Sequence, residues 1–531
     1  MKTHPFKILF VGFAVLITGF VSPLFSQDIL WEKSYGGLHA EYLFDAQPTA
    51  DYGFILAGSS ISGKSGNKLD ERISGLDYWV WKMDEKGDME WQKSFGGNGN
   101  DFLKSIQGTR DGGFILGGNS TSMEGFSKLE DSHGQEDLWI IKLNAKGDEE
   151  WQRSFGGTGK EIIHEIKQTK DGGYIIGATT SSRPSGDKVS THFGNLDYWI
   201  VKLDSEGMVE WERTYGGIYK DELQSISQTE DEGYIVGGYS NSPISGNKNE
   251  EGFGNGDYWI LKLDKRGNQQ WQRTIGGEQD DQLNTILPSI EGGYLLGGHS
   301  SSGATGRKSE PSKNGSDFWV LKLDDRGEIE WQQIYDFGET DLLTSLIENK
   351  DGTILIGGYA KTETRGLSKG NPKGINDYIA LKINNEGEEL WRQTVGSNGE
   401  DVLSKLLETR DGGYVLAGTS RSEISRDRNS RQGRSDFWVV KLKDKDKEDK
   451  ERFPGLEAIP NPTDRFSNVI VNHEFDEGTA YVYDIAGRQL QQFKVKSNTI
   501  PVDLAGLPLG IYLVTVATDV QTQSVKILKG N

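Results

Sequence analysis

The 531-residue sequence contains no cysteine. Disulfide bonds, thiolate nucleophiles and lipid attachment through an N-terminal cysteine are therefore excluded. Proline is scarce, with 13 residues, whereas glycine is abundant, with 70. This balance is typical of many short strands joined by tight turns. Stability must come from packing and strand pairing, and a chain of this length needs either several domains or a repeat array.

Positive charge is in deficit, since Lys and Arg total 59 against 80 Asp and Glu, a net charge of −21. A field of this sign repels phosphate backbones and anionic lipid headgroups. We therefore expect no nucleic acid partner.

Catalytic signatures are also missing. The sequence has no HExxH, Walker A or GxSxG motif, no helix-opening GxGxxG and no SxDxGxTW Asp-box. His164 and Glu165 come nearest to a metalloprotease motif, but a second histidine is absent and a strand is predicted there. The sequence thus predicts a protein that is not an enzyme, although its many acids leave open a carboxylate pair of the glycosidase type.

The N-terminus carries an export signal. Lys2 and Lys7 precede a mostly apolar run from Ile8 to Phe25, and small and polar residues follow. This pattern predicts a secretory signal peptide over residues 1–26, with the mature chain beginning near Gln27. An uncleaved membrane anchor is the alternative, because the run is close to the minimum length for a span.

Internal repetition decides the fold class. Each unit carries four short strand signals, shown well by the fourth: WERTYGG from Trp211, DELQSISQT from Asp221, DEGYIVGGYS from Asp231 and DYWILKLDKRG from Asp257. Asp-Gly-Gly and KLDxxG segments predict the hairpin turns between them. The first tryptophan of each unit recurs every 60 residues, at Trp31, Trp91, Trp151, Trp211, Trp271, Trp331 and Trp391.

The two ends of the array complement each other. The last unit stops after SDFWVVKL, from Ser435 to Leu442, without a further Trp strand, while the strand from Ile29 to Tyr35 precedes the first complete set. Pairing these ends leaves no open sheet edge. We therefore predict a seven-bladed β-propeller over residues 28–443, with four-stranded blades and a ring closed by the N-terminal strand. An open solenoid is the competing architecture.

In a propeller, the long polar loops and the Gly-Gly connections would share one face. The loops differ between units and carry occasional aromatic residues such as Phe126, His192, Phe193 and Phe253. Variable polar loops on a rigid scaffold suit recognition, so a ligand is expected on this face.

One set of acids recurs ten residues after the repeat tryptophan. These acids are expected near the starts of the innermost strands, where they would either cap a turn or form a carboxylate ring that binds a cation or a polar ligand. Ca²⁺ is the one cofactor left open, and no metal ligand set is otherwise assigned. The candidate ligand-binding residues are Glu41, Asp101, Glu161, Asp221, Asp281, Asp341 and Asp401.

Unit six departs from the pattern. Ile379 replaces the second tryptophan of the unit, and Asp336 and Phe337 replace the usual Gly-Gly pair. The tryptophans themselves are expected to fill the core between blades. Unit six is therefore expected to pack or bind differently from the others.

After the array, residues 444–454 form a charge run without apolar periodicity, which predicts a solvated linker. From residue 455 to 531 glycine becomes rarer and apolar alternation returns in NVIVNHEF, AYVYDIAG and GIYLVTVAT. A second domain, a small Ig-like β-sandwich, fits this pattern.

Four ordered blocks in this region, AIPNPT, VYDIAGRQL, LPLGIYLV and VKILK, resemble the type A C-terminal sorting domain of Bacteroidetes type IX secretion. The resemblance implies a partner in the type IX secretion machinery, a secreted or outer-membrane cell-surface location, and tail removal with attachment to surface lipopolysaccharide or release. The motif residues are Pro460, Asn461, Pro462, Asp484, Gly487, Gly510, Tyr512 and Lys526.

The repeat units also resemble a group of Bacteroidetes repeat proteins with DGGY, DYWIVKLD and EWQ signatures, which implies no substrate. These features together predict an exported, noncatalytic binding propeller for a glycan or protein ligand. The alternatives are a secreted polysaccharide-acting enzyme with a catalytic carboxylate pair in the loops, and a structural adhesin. The ligand and the oligomeric state do not follow from the sequence.

Overall fold

A computed structural model describes residues 27–362, 376–445 and 455–530. These residues form 35 β-strands, and none of them belongs to a helix that could cross a bilayer. The chain is therefore all-β over the described residues. The predicted signal peptide lies outside them, as do residues 446–454 of the predicted linker.

Most of the chain forms seven four-stranded antiparallel sheets, which we number 1 to 7. The innermost strands of sheets 1 to 7 are β2 (Glu41–Pro48), β6 (Asp101–Gly108), β10 (Glu161–Gln168), β14 (Asp221–Gln228), β18 (Asp281–Pro288), β22 (Gly338–Glu348) and β26 (Glu400–Glu408). The second strands are β3 (Phe54–Ser60), β7 (Phe114–Ser120), β11 (Tyr174–Thr180), β15 (Tyr234–Ser240), β19 (Tyr294–Ser300), β23 (Ile354–Thr362) and β27 (Tyr414–Arg421).

The outer half of each sheet follows the same order. The third strands are β4 (Asp77–Met83), β8 (Asp137–Leu143), β12 (Asp197–Leu203), β16 (Asp257–Leu263), β20 (Asp317–Leu323), β24 (Asp377–Ile383) and β28 (Asp436–Lys443). The outermost strands of sheets 1 to 6 are β5 (Met89–Phe95), β9 (Glu149–Phe155), β13 (Val209–Tyr215), β17 (Gln269–Ile275), β21 (Ile329–Tyr335) and β25 (Glu389–Val395).

Sheet 7 is built from both ends of the array. Its outermost strand is β1 (Asp28–Tyr35), which pairs with β28 in the antiparallel register that places Tyr35 opposite Phe437. Successive sheets pack side by side, and the inner strand of sheet 7 packs against that of sheet 1. Each sheet therefore has a neighbouring sheet on both sides.

The apolar core lies between sheets. Tyr198 of sheet 3 packs on Trp259 of sheet 4 with ring centroids 4.9 Å apart, and its hydroxyl donates to the Trp259 carbonyl at 3.1 Å. The indole N–H of Trp259 donates in turn to Gln272 at 3.1 Å. Such burial of large rings with satisfied polar atoms is the main stabilising term of these junctions. The tyrosine and the tryptophan of the strand motif Asp-Tyr-Trp thus each pack against a neighbouring sheet.

The glycines of the second strands allow this close packing. A Cβ at Gly238 would lie 2.0 Å from the carbonyl oxygen of Glu222 and 2.8 Å from the hydroxyl oxygen of Tyr198. No side chain fits in that space, so glycine is required where the tyrosine of one sheet reaches into the next.

Buried lysines hold the hairpin turns opposite the long loops. Lys262, in the third strand of sheet 4, forms an ion pair of 2.8 Å with Asp231 of the β14–β15 turn and donates to the Leu263 carbonyl. A buried charge needs such partners to remain ionised. The same pairing with the turn acid is made by Lys82, Lys142, Lys202 and Lys441.

One predicted boundary changes. Residue 444 was expected to begin the solvated linker, but Asp444 is buried, accepts the Tyr414 hydroxyl at 2.6 Å and pairs with Lys382 at 3.2 Å. These contacts make Asp444 part of the sheet array, because a linker residue would leave both partners without their acceptor.

The C-terminal region folds separately around its own core, which includes Val469, Val482 and Val514. It packs on the turn side of sheets 1 and 7, where Glu457 accepts the Tyr52 hydroxyl and pairs with Arg410, both at 2.8 Å. One sheet holds three strands and the other four. The strands are β29 (Leu456–Ile459), β30 (Phe466–Val471), β31 (Gly478–Asp484), β32 (Gln489–Val495), β33 (Thr499–Asp503), β34 (Gly510–Thr518) and β35 (Thr522–Lys529).

Candidate functional site

Every innermost strand contains a β-bulge at the same place. In β14 the pairing with β15 shifts between Leu223 and Ser225, so Gln224 has no partner opposite it. A bulge bends the strand and re-aims the extra side chain, and bulges of this kind are common beside functional sites. The seven bulged residues, which we call the bulge row, are Phe44, Lys104, His164, Gln224, Asn284, Thr344 and Ser404.

The bulge row lines a central cavity of about 370 Å³ to which all seven inner strands contribute. No two members of the row are the same residue type. The position one residue earlier, by contrast, is leucine in six units and isoleucine in the third, and it is buried in all of them. One backbone position thus presents seven different side chains to one space.

The residues that follow the bulge row connect the sheets. Asp45 accepts the N–H of Ile106 at 2.8 Å, and Glu165 accepts the N–H of Ile226 at 2.8 Å. Ser105 does the same for the N–H of Ile166 at 3.2 Å. Each bond joins the inner strand of one sheet to that of the next, so these side chains hold the wall of the cavity in place.

Opposite charges face each other across the wall of the cavity. Lys405 lies 3.6 Å from Asp45. Burial raises the pKa of Asp45, and the nearby Asp45 carboxylate raises the pKa of Lys405. The ammonium of Lys104 lies 3.6 Å from the centroid of the Phe44 ring, and burial lowers its pKa.

His164 and Glu165 are two further titratable groups of the cavity. Burial, with a smaller effect of the Lys104 charge, lowers the pKa of His164 to about 4, so the imidazole is neutral at pH 7. Burial alone would raise the pKa of Glu165, but Lys167 and Lys405 outweigh it and lower that pKa. With two acids, two lysines and several amides and hydroxyls, the cavity offers both donors and acceptors and little net charge.

The acids singled out in the sequence lie elsewhere. All seven are fully buried in the first turn-proximal part of the inner strands, within three residues of the strand start, and each accepts a backbone N–H from four residues earlier at 2.6–3.0 Å. They therefore cap the turn that precedes each inner strand. Because these carboxylates have no exposed surface, no ligand larger than an ion reaches them. Cation binding by these acids stays a prediction. The seven are Glu41, Asp101, Glu161, Asp221, Asp281, Asp341 and Asp401.

The long loops are more regular than their sequences indicate. In sheet 4, Ser245 and Lys248 form a short antiparallel bridge, and the Lys248 side chain is buried beside Thr274. Equivalent bridges occur at Ser65, Gly125, Ser185 and Ser425. The expected aromatic residues Phe126 and Phe253 are exposed, whereas the third-strand tryptophans are fully buried.

The sorting-motif residues build the C-terminal fold. The Asn461 side chain donates to the Lys526 carbonyl and accepts the Leu528 N–H, both at 2.8 Å, and so clamps the last strand. The Asp484 carboxylate accepts two backbone N–H groups of the turn that contains Gly487, whose φ is +80°. The Pro460 carbonyl accepts a hydrogen bond from the Ser467 hydroxyl, and the Tyr512 hydroxyl donates to the Pro508 carbonyl. Pro462 follows Asn461 in the chain, and Gly510 is the first residue of β34.

A second cavity of about 470 Å³ lies between the sheet array and the C-terminal domain. Its walls include Asp51 and Phe114 from the array and Asn468 and Thr499 from the C-terminal domain. Because two separate domains form it, it exists only while both remain together.

Comparison with known proteins identifies the C-terminal region. Residues 457–530 match the family of the secretion system C-terminal sorting domain. Regulatory protein FlaEY of Caulobacter vibrioides is 22% identical over 354 residues, which is 60% of this chain. The match spans only 36% of the length of that protein.

Two solved structures resemble the chain at low similarity. BBS1N, in its complex with ARL6DN, has a TM-score of 0.40 at 9% identity and covers 78% of this chain and 96% of its own. PorZ of Porphyromonas gingivalis, a surface component of the type IX secretion system, has a TM-score of 0.24 at 9% identity and covers 92% of this chain and 81% of its own.

Sequence reasoning missed the bulge row. A column-by-column comparison of the repeats would show that this position varies completely beside a position that is leucine or isoleucine in every unit, but other positions of the inner strand vary as well. A bulge itself leaves no residue signature here, since every member of the row is an ordinary strand residue.

Proposed function

We propose that this chain, a secreted or cell-surface protein that its type IX secretion sorting domain delivers, is a noncatalytic binding protein for a glycan. In this proposal the seven sheets are the blades of a β-propeller, and the N-terminal strand closes the ring. The C-terminal domain, a small Ig-like β-sandwich, is the sorting signal. The glycan enters the central cavity and meets the bulge row.

One observation carries the proposal. Seven different residues stand at one geometrical position, where every inner strand is bulged and faces the central cavity. Packing does not hold this position to one residue type, unlike the preceding position, which is leucine or isoleucine in every unit. Amides, hydroxyls and a neutral imidazole suit the many hydroxyl groups of a sugar, and the low net charge of the lining suits an uncharged ligand.

The fate of the tail also supports the central cavity. In type IX secretion the sorting tail is implied to be removed before attachment to surface lipopolysaccharide or release. Removal would dismantle the cavity that the two domains share, whereas the central cavity is formed by the array alone.

A glycan array probed with the full chain tests the proposal. We expect binding to one class of sugar, and Gln224→Ala should weaken it about tenfold, because one good polar contact to a ligand is worth roughly 1–1.5 kcal/mol. Gln228→Ala, in the same strand but outside the cavity lining, is the matched control and should bind as the natural chain does. Absence of binding to every glycan, or equal binding by the two variants, would refute the proposal.

A polysaccharide-acting enzyme is the second candidate, because two acids of the cavity have pKa values that move in opposite directions. The pKa of Asp45 is raised and that of Glu165 is lowered, which is the pattern of a general acid beside an ionised partner. Both carboxylates are, however, occupied by backbone N–H groups of the next sheet. Hydrolysis of a polysaccharide panel that Asp45→Asn and Glu165→Gln both abolish would favour this function.

A further inference from the structure

The junction between sheets 5 and 6 differs from the other six in its buried charges. Each junction places the first aspartate of a third strand beside the acid that starts the next inner strand. In this junction the pair is Asp317 and Asp341, and a third carboxylate, Asp336, joins them. One ligand oxygen of each lies within 4.8 Å of those of the other two.

Glycine occupies the position of Asp336 in all six other junctions, and the geometry shows why. A Cβ at Gly276 would lie 1.8 Å from Oδ1 of Asp257, the counterpart of Asp317. The corresponding distances at Gly36, Gly96, Gly156, Gly216 and Gly396 are 1.9–2.4 Å. A side chain at this position therefore points directly at the paired acids.

The same junction has also lost a hydrogen-bond donor. In five other sheets a Ser or Thr hydroxyl at the end of the second strand donates to the acid that starts the inner strand, as Ser240 does to Asp221. Sheet 6 has Ala360 in that place. Oδ1 of Asp341, a residue with no exposed surface, has no hydrogen-bond partner among the described residues; the same holds for Oδ1 of Asp281, but there Ser300 keeps a hydroxyl at the donor position.

The remaining oxygens are held in place. Oδ2 of Asp341 accepts the Phe337 N–H at 2.6 Å, and Oδ2 of Asp317 accepts the Lys313 N–H at 2.7 Å. The Oδ1 atom of Asp317 is unpartnered too, although this is shared with Asp77, Asp137, Asp197 and Asp257. Two anchored carboxylates thus each keep an unpartnered oxygen in a cluster with Asp336, which is only half-buried and gives access from solvent.

Two nearby basic groups, Arg392 and Lys308, are engaged with other partners, while the charge of Lys313 also acts on Asp317. Arg392 is paired with Glu389 and donates to the backbone carbonyl of Asp336, at 3.4 Å, rather than to its carboxylate. Lys308 donates to the Ser302 carbonyl and the Ser312 hydroxyl, both at 2.6 Å.

We propose that Asp317, Asp336 and Asp341 form a binding site for one Ca²⁺ ion. Calcium binds six to eight oxygens at roughly 2.3–2.6 Å, so two of its ligands lie up to roughly 5 Å apart, which the spacing of the three carboxylates satisfies. The ion takes the place of the missing hydroxyl donor and balances the added acid, and water completes its shell on the open side. The site is independent of the ligand in the central cavity.

Calorimetric titration of the EDTA-treated full chain with CaCl₂ tests the site. We expect one Ca²⁺ per chain. Asp336→Gly and Ala360→Ser, which restore the residues of the other junctions and should therefore fold, are expected to weaken binding about tenfold or more. Glu278→Gly, which removes a carboxylate from the equivalent connection before sheet 5, should bind as the natural chain does.

Thermal unfolding separates a metal site from a purely structural cluster. Calcium should raise the melting temperature of the natural chain and of Glu278→Gly, but not that of Asp336→Gly. In EDTA, Asp336→Gly should have a higher melting temperature than the natural chain, because the variant lacks the carboxylate that repels Asp317 and Asp341. A natural chain that binds no calcium, or an Asp336→Gly variant that binds it equally well, would overturn the assignment.

Discussion

Two rows of side chains lie on the same seven inner strands, three residues apart, and they behave in opposite ways. The starting row, represented by Asp221, is acidic in every unit and fully buried. The bulge row, represented by Gln224, differs in every unit and lines the cavity. Repetition therefore accompanies a structural task, whereas the varied row lines the cavity in which we propose that a glycan binds.

Removal of an acid from the starting row should have the largest effect on stability. Asp221 accepts the Gly217 N–H at 2.7 Å and the hydroxyls of Ser240 and Ser242. Asp221→Ala leaves three donors without an acceptor, so the free energy of unfolding should fall by about 3–5 kcal/mol. Urea denaturation measures the loss, and the near-isosteric Asp221→Asn should lose much less. A loss below about 1 kcal/mol would contradict the structural role that we assign to the starting row.

The acid pairs that join the starting row to the third strands should make stability depend on pH. Burial, with a contribution from Asp281 and against the attraction of Lys248, raises the pKa of Asp257 to about 6. A raised carboxyl pKa means that the folded state favours the protonated form. The stabilisation is therefore complete below the unfolded pKa near 4 and is lost as the pH rises through about 6.

Asp257→Asn isolates this contribution, because its amide keeps the acceptor for the Phe253 N–H without any charge. Between pH 4 and pH 8 the natural chain should lose about 2–3 kcal/mol more than the variant, since one pKa unit corresponds to about 1.4 kcal/mol. Parallel stability curves for the two proteins would show that Asp257 does not titrate as described.

Much of the fold follows from the sequence because its causes are local and repeated seven times. Glycine-rich turns, the tryptophan spacing and the unmatched strand at Ile29 to Tyr35 predict four strands per unit and the pairing of the chain ends. The structure has four-stranded sheets and pairs β1 with β28. The sorting motif likewise consists of residues that make specific turns and clamps, as Asn461 does.

The central site escaped prediction because its cause is not local. Whether Gln224 is paired or bulged depends on its register with β15, and Ser225 bonds to Ile286 of the next sheet, 61 residues away. The burial of Asp444 similarly depends on Lys382, which lies on a neighbouring sheet. Partners so distant in sequence leave no short-range pattern in a single chain.

A side chain that holds the cavity wall should have an intermediate effect. Ser105 accepts the Ile166 N–H at 3.2 Å and thereby joins sheets 2 and 3. Ser105→Ala leaves that buried N–H unpaired, so the free energy of unfolding should fall by about 1–2 kcal/mol in urea denaturation. Ser404→Ala, which removes a hydroxyl bonded to the Leu43 carbonyl instead, is the matched control and should cost no more.

The smallest effect on stability, and the sharpest separation of the two rows, is expected for Lys104→Met. Burial already lowers the pKa of Lys104, so the fold gains little from its charge, and methionine retains most of the side-chain volume over Phe44. The free energy of unfolding should change by less than about 1 kcal/mol, while glycan affinity falls about tenfold because a donor that faces the cavity is lost. Lys265→Met, at an exposed turn, should change neither quantity. If Lys104→Met instead destabilises the chain as strongly as Asp221→Ala, the bulge row shares the structural task of the starting row and its variety has no bearing on recognition.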